Sequence, residues 1–194
     1  MHLVIGLTGP NASGKGEIAA RLGSRGFTLH SLSDVVREEA ARRGFPAERE
    51  FLIQVGNALR REGGPGVLAA RILPRLQDGG RAVVDSIRNP AEVRVLRESL
   101  PRFVLLGVQA PLDTRYRRSL ERARPGDPRT LEEFAAREAQ ENTADPTTQQ
   151  LDETFRLADR VLDNTGDLAR LAAALDRLLD ELDRVDGSNP APIP

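Results

Sequence analysis

The sequence predicts an α/β fold in which one parallel sheet carries helices on both faces. Short apolar runs of strand type alternate along the chain with segments of helical periodicity, an alternation typical of βαβ units. The predicted strands cover residues 3–7, 27–30, 82–85, 103–108 and 161–162. Because 194 residues suffice for one core of ordinary size, we expect a single domain over residues 1–185.

Residues that favour helix starts support this alternation. Ser33 is predicted to cap the helix after the second strand, Asn89 with Pro90 opens another, and Thr130 begins a capping box. Residues 167–185 form a strongly amphipathic final helix, whereas residues 186–194 are proline-rich without periodicity and are predicted to be a disordered tail.

Composition excludes several function classes. With no cysteine, the chain has no disulfide framework and no thiolate metal site, and its two histidines leave little for zinc. We therefore expect any bound metal to be a hard cation on oxygen ligands. The net charge of −1 argues against a general nucleic-acid binder. No apolar run approaches the roughly 20 residues of a membrane span, and no signal peptide is evident. We therefore expect a cytoplasmic protein without a membrane partner.

A glycine-rich turn directly follows the first predicted strand and opens a helix. Gly9 to Lys15 fit the pattern G-x-x-x-x-G-K, and this placement makes backbone N–H groups and a helix N-terminus converge on one anion. Among 28 basic residues Lys15 is the only lysine, which suggests a need for a compact ammonium there. The residues predicted to bind ATP in this loop are Gly9, Pro10, Asn11, Ala12, Ser13, Gly14, Lys15, Gly16 and Glu17.

The loop departs from the standard pattern after its lysine. A Ser or Thr normally follows and places its hydroxyl on magnesium, but here Gly16 and Glu17 follow. The Glu17 carboxylate could replace that hydroxyl as a magnesium ligand, or it could only complement the helix dipole. A third interpretation is a loop that binds nucleotide without transferring phosphate.

The segment "GPNASGKGE" resembles the loop of adenylate kinases and, in its G-K-G-E ending, the loop of an adenylate-kinase-related archaeal group. This resemblance to the P-loop nucleoside monophosphate kinase superfamily implies a three-layer P-loop kinase fold with strand order 2-3-1-4-5, which dephospho-CoA kinases share. It also implies magnesium with ATP as the phosphoryl donor, a catalytic role for Lys15, and an arginine-rich lid.

Two further segments resemble the acceptor side of these kinases. In "SLSDVVREEA", Asp34 and Arg37 match the acceptor-binding Asp and Arg, inside an insertion of about residues 31–80. In "VVDSIRNP", Arg88 matches the second clamp on the acceptor phosphate. Asp85 ends a buried strand, where doubly wound sheets place their ligands, and is predicted either to hold magnesium or to cap a helix.

The arginine-rich segment of about residues 115–145 resembles the kinase lid. The resemblance implies that Arg118, Arg122 and Arg124 contact the donor phosphates, with Arg137 in support. Arg115 and Arg117 are instead explained as part of a solvated helix with i,i+4 ion pairs. The resemblance also places the loop that contains Asn164 against the donor adenine.

These matches predict a kinase that transfers the γ-phosphoryl of ATP to a nucleoside monophosphate or a similar phosphorylated small molecule. A kinase of dephospho-CoA or of a nucleic-acid base is the alternative among enzymes, and a nucleotide-binding regulatory module is the alternative without catalysis. Three questions stay open: which base the acceptor carries, whether ATP or GTP is the donor, and whether the protein is a monomer or a homodimer.

Overall fold

A computed structural model describes residues 3–76, 79–123 and 127–187, and its five-stranded sheet confirms the predicted fold class. All pairings are parallel and the spatial order is the predicted 2-3-1-4-5. The strands are β1 (Leu3–Thr8), β2 (Thr28–Ser31), β3 (Arg81–Asp85), β4 (Phe103–Gln109) and β5 (Arg160–Asp163).

Helices connect these strands. They are α1 (Lys15–Ser24), α2 (Leu32–Arg42), α3 (Arg49–Gly63), α4 (Val67–Ile72), α5 (Pro90–Ser99), α6 (Leu112–Arg122), α7 (Leu131–Gln140), α8 (Leu151–Arg156) and α9 (Leu168–Gly187), and a 3₁₀ helix, Leu73–Leu76, continues α4. Within the part of the chain that the structure describes, none of the helices is both long and apolar enough to cross a lipid bilayer.

The core lies on both faces of the sheet because successive side chains of a strand point to opposite faces. On one face Val4 of β1 packs with buried side chains of α2 to α5. On the other face Leu3, Ile5 and Leu7 of the same strand pack with α1 and α9. The central strand β1 is therefore buried on both faces, and only the ends of the strands are available for a site.

The helix starts agree with the sequence at two of the three predicted caps. Asn89 caps α5 in a full capping box. Thr130 caps α7, with its hydroxyl accepting from the Glu133 backbone, but the predicted box is incomplete because the Glu133 carboxylate accepts from the backbone N–H of Arg129. The prediction for Ser33 was wrong, because Ser31 caps α2 and its hydroxyl accepts from the backbone N–H of Ser33. The extended backbone of β2 ends at Ser31, so the helix begins earlier than its charged residues suggest.

Helix α3 was not predicted, although it lies inside the predicted acceptor-binding insertion. It places Arg49 at its first turn and the buried Arg60 near its end. At the other end of the chain, α9 continues to Gly187, and residues 188–194 of the predicted tail lie outside the described residues.

Candidate functional site

The glycine-rich loop joins the carboxyl end of β1 to α1, at the centre of the sheet. Gly9 has a φ of +134°, and a Cβ there would lie 2.2 Å from the carbonyl oxygen of Val108 in β4, so no larger residue fits. Lys15 is the first residue of α1, and its Nζ donates to the carbonyl oxygens of Gly9 and Pro10, both at 2.8 Å. The ammonium thus lies over the loop.

The charges around Lys15 show which side chains the fold gathers there. Loss of water around the ammonium, and secondly the Arg88 guanidinium, lower the pKa of Lys15 to about 8. Asp85 and Glu141 act in the opposite direction, and Arg115 adds to the lowering. Charged residues of β3, of the loop after it, of α6 and of the end of α7 therefore lie within electrostatic range of the loop's lysine.

Asp85 is the last residue of β3 and lies opposite Ser31 of β2. Its Oδ1 is buried and has no hydrogen-bond partner among the described residues. A buried carboxylate oxygen left in this state is costly unless something else satisfies it. Magnesium binds through one or two protein carboxylates together with water and substrate phosphates, so this orphaned oxygen fits that ion. No cluster of three or more acidic or histidine side chains suited to a metal occurs in the described ranges.

Glu17 lies in the first turn of α1 and its side chain is exposed. Its backbone N–H donates to the Gly14 carbonyl at 3.0 Å, which sets the first turn after the loop. An exposed carboxylate at a helix N-terminus suits either a metal ligand or a partner of the helix dipole. Its role as a magnesium ligand stays a prediction.

The segment after β3 is fastened to β1 and α5. Ser86 has a φ of +65°, unusual for a residue with a side chain and frequent at functional sites. The Thr8 hydroxyl donates to the Ile87 carbonyl at 3.0 Å. The Glu92 carboxylate accepts from the backbone N–H groups of Arg88 at 2.9 Å and Asn89 at 3.1 Å.

A buried ion pair supports the same segment from behind. Glu92 is fully buried and accepts from the Arg60 guanidinium of α3 at 2.7 Å. Sequence reasoning missed both residues, because their contact joins positions 32 residues apart along the chain. Arg60 therefore holds Glu92, and Glu92 holds the backbone of Arg88.

The Arg88 side chain reaches a carboxylate that the sequence analysis also missed. Its Nη1 donates to Glu141 Oε2 and to Gln149 Oε1, each at 3.0 Å. Glu141 is 4% exposed and also accepts from Asn11 at 2.9 Å and from Arg49. Glu141 lies inside the predicted lid segment, four residues after Arg137, but its residue type alone does not mark it as an arginine partner.

Asp34 and Arg37, the other predicted acceptor residues, lie on α2 and pair with each other. The Arg37 guanidinium donates to the Asp34 carboxylate at 2.7 Å, and both side chains are exposed. The structure therefore separates the two predicted acceptor arginines, because Arg37 makes a surface pair while Arg88 lies in the buried network.

On the donor side Asn164 joins the β5–α9 loop to the glycine-rich loop. It is buried, its amide donates to the Ser13 carbonyl at 2.8 Å, and a Cβ on Gly14 would lie 2.1 Å from that amide nitrogen. Arg118 of α6 donates to the Asn164 carbonyl at 3.0 Å. The Nη1 of Arg118 and the hydroxyl of Ser13 are buried without hydrogen-bond partners among the described residues.

Arg115 contradicts the expectation of a solvated helix face. It is buried, its Nη2 donates to Glu138 of α7 at 2.9 Å, and its Nε donates to the Ala110 carbonyl at 2.9 Å. The i,i+4 pattern misled here because Glu138 is 23 residues away in sequence. Arg117 is exposed as expected, with Asp113 at 3.9 Å.

The remaining lid arginines are partly placed. Arg122 pairs with Asp127 at 3.0 Å, and both Arg122 and Arg137 line a small cleft together with Asn11 and Arg49. Arg124 lies outside the described residues. The structure thus brings Arg122 and Arg137 to the glycine-rich loop.

A cavity of about 220 Å³ opens beside the loop at the carboxyl end of β4. Its lining mixes apolar side chains with carboxylates and amides: Pro10, Gln109, Ala110, Glu138, Asn142, Leu151, Asp152 and Phe155. Its walls can therefore pack against a flat or apolar group and accept hydrogen bonds at its edges.

Two solved structures of kinases share this fold. A gluconokinase from Sinorhizobium meliloti 1021 is 16% identical and aligns over 93% of this chain and 95% of its own, with a TM-score of 0.54. A shikimate kinase from Bacteroides thetaiotaomicron is 12% identical and aligns over 93% of this chain and 98% of its own, with a TM-score of 0.56. TT1252 from Thermus thermophilus is 30% identical over 93% and 97%, with a TM-score of 0.56. The fold is therefore kinase-like.

Curated sequences give the family. A UPF0200 protein from Pyrococcus abyssi is 38% identical over 145 residues, which cover 72% of this chain and 78% of the relative. A UPF0200 protein from Hyperthermus butylicus is 36% identical over 183 residues, 93% of this chain and 95% of the relative. No family model matches the chain. On these two likenesses, the chain belongs to the UPF0200 family.

Proposed function

We propose that this protein is an ATP-dependent phosphotransferase that moves the γ-phosphoryl of ATP to a phosphorylated small molecule, as nucleoside and deoxynucleoside monophosphate kinases do. The observation that carries the proposal is the placement of Lys15 on a phosphate-binding loop, within electrostatic reach of Asp85 and Arg88. Asp85 also presents the buried carboxylate oxygen described above.

On the donor side, the loop N–H groups and Lys15 bind the β and γ phosphates of ATP. The Lys15 ammonium exchanges the carbonyl oxygens of Gly9 and Pro10 for phosphate oxygens. Asp85, whose Oδ1 is buried without a partner among the described residues, would hold magnesium, with Glu17 as the second candidate ligand. When bound, magnesium would neutralise part of the negative charge on the ATP phosphates. Asn164 holds the glycine-rich loop through the Ser13 carbonyl, and we assign its own loop to the side of the nucleotide's base.

The acceptor's phosphate binds at the Arg88 guanidinium, whose planar fork suits a phosphate group. Asp34 and Arg37, which pair with each other on the exposed face of α2, are the remaining candidate acceptor residues. The organic part of the acceptor occupies the cavity beside the loop, which is closed by α7 and α8. Transfer then depends on alignment of the two phosphates, with no covalent enzyme intermediate.

The lid supplies positive charge over the transferred group. Arg118 has a buried Nη1 without a hydrogen-bond partner among the described residues, and Arg122 lines the cleft at Asn11. Together with Arg124, these guanidiniums offset the charge that spreads over the phosphoryl oxygens, and they help to exclude water.

A coupled assay of ADP release over a panel of nucleoside monophosphates tests the proposal, with dephospho-CoA and oligonucleotides included as the alternative acceptors. We expect turnover with at least one monophosphate and a loss of about 100-fold or more in Arg88→Ala, since a lost charge-assisted contact is commonly worth several kcal/mol. The exposed Arg156→Ala serves as a matched control with unchanged turnover. ATP binding without release of ADP for any acceptor would favour the regulatory module instead.

A further inference from the structure

The buried carboxylate of Glu141 connects the end of α7 to three other parts of the fold. It is 4% exposed, and it accepts from Asn11 in the glycine-rich loop, from Arg49 at the start of α3 and from Arg88 after β3. The distances to Asn11 and Arg88 are 2.9 and 3.0 Å. These three donors surround a single anionic group from three directions.

The two helix ends that meet here carry charges that their own dipoles do not favour. Glu141 directly follows α7 at its C-terminal end, where a negative charge is unfavourable, and Arg49 lies in the first turn of α3, where a positive charge is unfavourable. Each charge therefore depends on the other for its stabilisation. An anion at the N-terminus of α3 would satisfy Arg49 without any help from Glu141.

The donors around Glu141 also suit a phosphate group. Guanidinium groups form charge-assisted hydrogen bonds to carboxylate and to phosphate in the same geometry, and a dianionic phosphate brings more charge than a carboxylate. Arg122 and Arg137 line the adjoining cleft with Asn11 and Arg49, and the carboxylates of Asp127 and Glu138 line it too, with Asp127 paired to Arg122.

We propose that Arg49, Arg88 and Asn11 form the binding site for the acceptor's phosphate, and that Glu141 is an internal ligand that fills this site until the acceptor displaces it. This inference rests on the proposed function. It makes Arg49, rather than the surface-paired Arg37, the partner of Arg88. Because Glu141 directly follows α7, its displacement also releases the end of the helix that holds Arg115 through Glu138.

A titration with inorganic phosphate tests the proposal without ATP or transfer. Every protein carries Lys15→Ala, so that phosphate binding at the glycine-rich loop is weakened equally in all of them. We expect Glu141→Gln to bind phosphate at least tenfold more tightly than its parent, because the competing charge is gone while the shape is kept. Glu132→Gln, the same change at an exposed position of α7, is the matched control and should leave the affinity unchanged within twofold.

The arginines are separated by adding a further substitution to Glu141→Gln. Arg49→Ala should remove the gain in phosphate affinity, and Arg37→Ala should leave it in place. A gain that survives Arg49→Ala, or no gain in Glu141→Gln, overturns the proposal. An active kinase with either result would leave the proposed function intact, whereas phosphate binding as expected without any ADP release would contradict the proposed function alone.

A second measurement needs no change at Glu141. Hydrogen exchange of the Lys15→Ala protein is followed with and without saturating phosphate. The backbone N–H groups of Glu141 and Asn142 donate to Glu138 and Ala139 at 3.0 and 3.1 Å, and they should exchange faster once phosphate displaces the Glu141 carboxylate. Unchanged or slower exchange at saturating phosphate would show that Glu141 is a structural ligand, and would overturn the proposal.

Discussion

Lys15 gives ATP binding a dependence on pH that an ordinary lysine would not give. Partial burial of the ammonium, together with the charge of Arg88, lowers the pKa of Lys15 to about 8 from the usual 10.5. The form that binds phosphate is the ammonium, so affinity should fall as the pH rises through this pKa. The ordinary value would leave the ammonium almost fully protonated over the same range.

The magnitude follows from the protonated fraction. With a pKa of about 8 for Lys15, that fraction falls from roughly three quarters at pH 7.5 to roughly one in eleven at pH 9.0, so the Kd for ATP should rise about eightfold. Bound phosphates favour the ammonium and raise its pKa again. At pH 8 the free protein should therefore take up about half a proton for each ATP bound.

Isothermal calorimetry measures both quantities in one series. Titrations at pH 7.5 and 9.0 give the affinities, and titrations at pH 8 in two buffers with different ionisation enthalpies give the proton uptake. Lys15→Ala is the control, because it should bind weakly and show neither effect. A flat affinity between pH 7.5 and 9.0 without proton uptake would refute the reasoning, since the ammonium would then be either fully solvated or remote from the phosphates.

Two further predictions concern the metal and the support behind Arg88. If Glu17 is a magnesium ligand, magnesium should no longer tighten ATP binding in Glu17→Ala, and Glu17→Thr should restore that effect. Tighter ATP binding by Glu17→Ala at every magnesium concentration would contradict the ligand role. Arg60→Met leaves the buried Glu92 carboxylate unpaired and should lower the free energy of unfolding in urea by about 3–5 kcal/mol. The control Arg156→Met breaks an exposed pair with Glu153 and should cost less than about 1 kcal/mol, so equal losses in the two variants would contradict this account.

The sheet could be predicted from the sequence because its three central strands, β3, β1 and β4, contain apolar runs of the right length. Burial of β1 on both faces makes residues 3–7 a continuous apolar segment, and the loop after it carries its own pattern of glycines. Helix α3 escaped prediction because it carries no side-chain cap: Glu48 stands at its N-cap position without a capping hydrogen bond. Tertiary packing of Val55 and Leu59, rather than a local signal, defines that helix.

The site was predictable only where local patterns carry it. Lys15 and Asp85 were found because a loop pattern and a strand end mark them. The carboxylates that pair with the arginines could not be found from the sequence, because these pairs join distant parts of the chain. Arg49 pairs with Glu141, 92 residues away, and Arg115 pairs with Glu138, 23 residues away. Composition shows that the chain is rich in arginine, but it cannot show which carboxylate each guanidinium meets.

If the proposed function holds, these pairings give the donor and acceptor halves of the site different conditions for binding. The Lys15 ammonium donates to two neutral carbonyl oxygens. An incoming phosphate can therefore pair with this ammonium without first breaking an ion pair. Arg88 is held by the Glu141 carboxylate at 3.0 Å, and an acceptor must break that pair before it gains the same guanidinium. Bound donor adds negative charge beside Asn11, which also holds Glu141, and so weakens the internal ligand by repulsion. An acceptor phosphate at the same position carries more negative charge than that carboxylate and meets the same repulsion, so the donor loosens Glu141 without by itself favouring the acceptor.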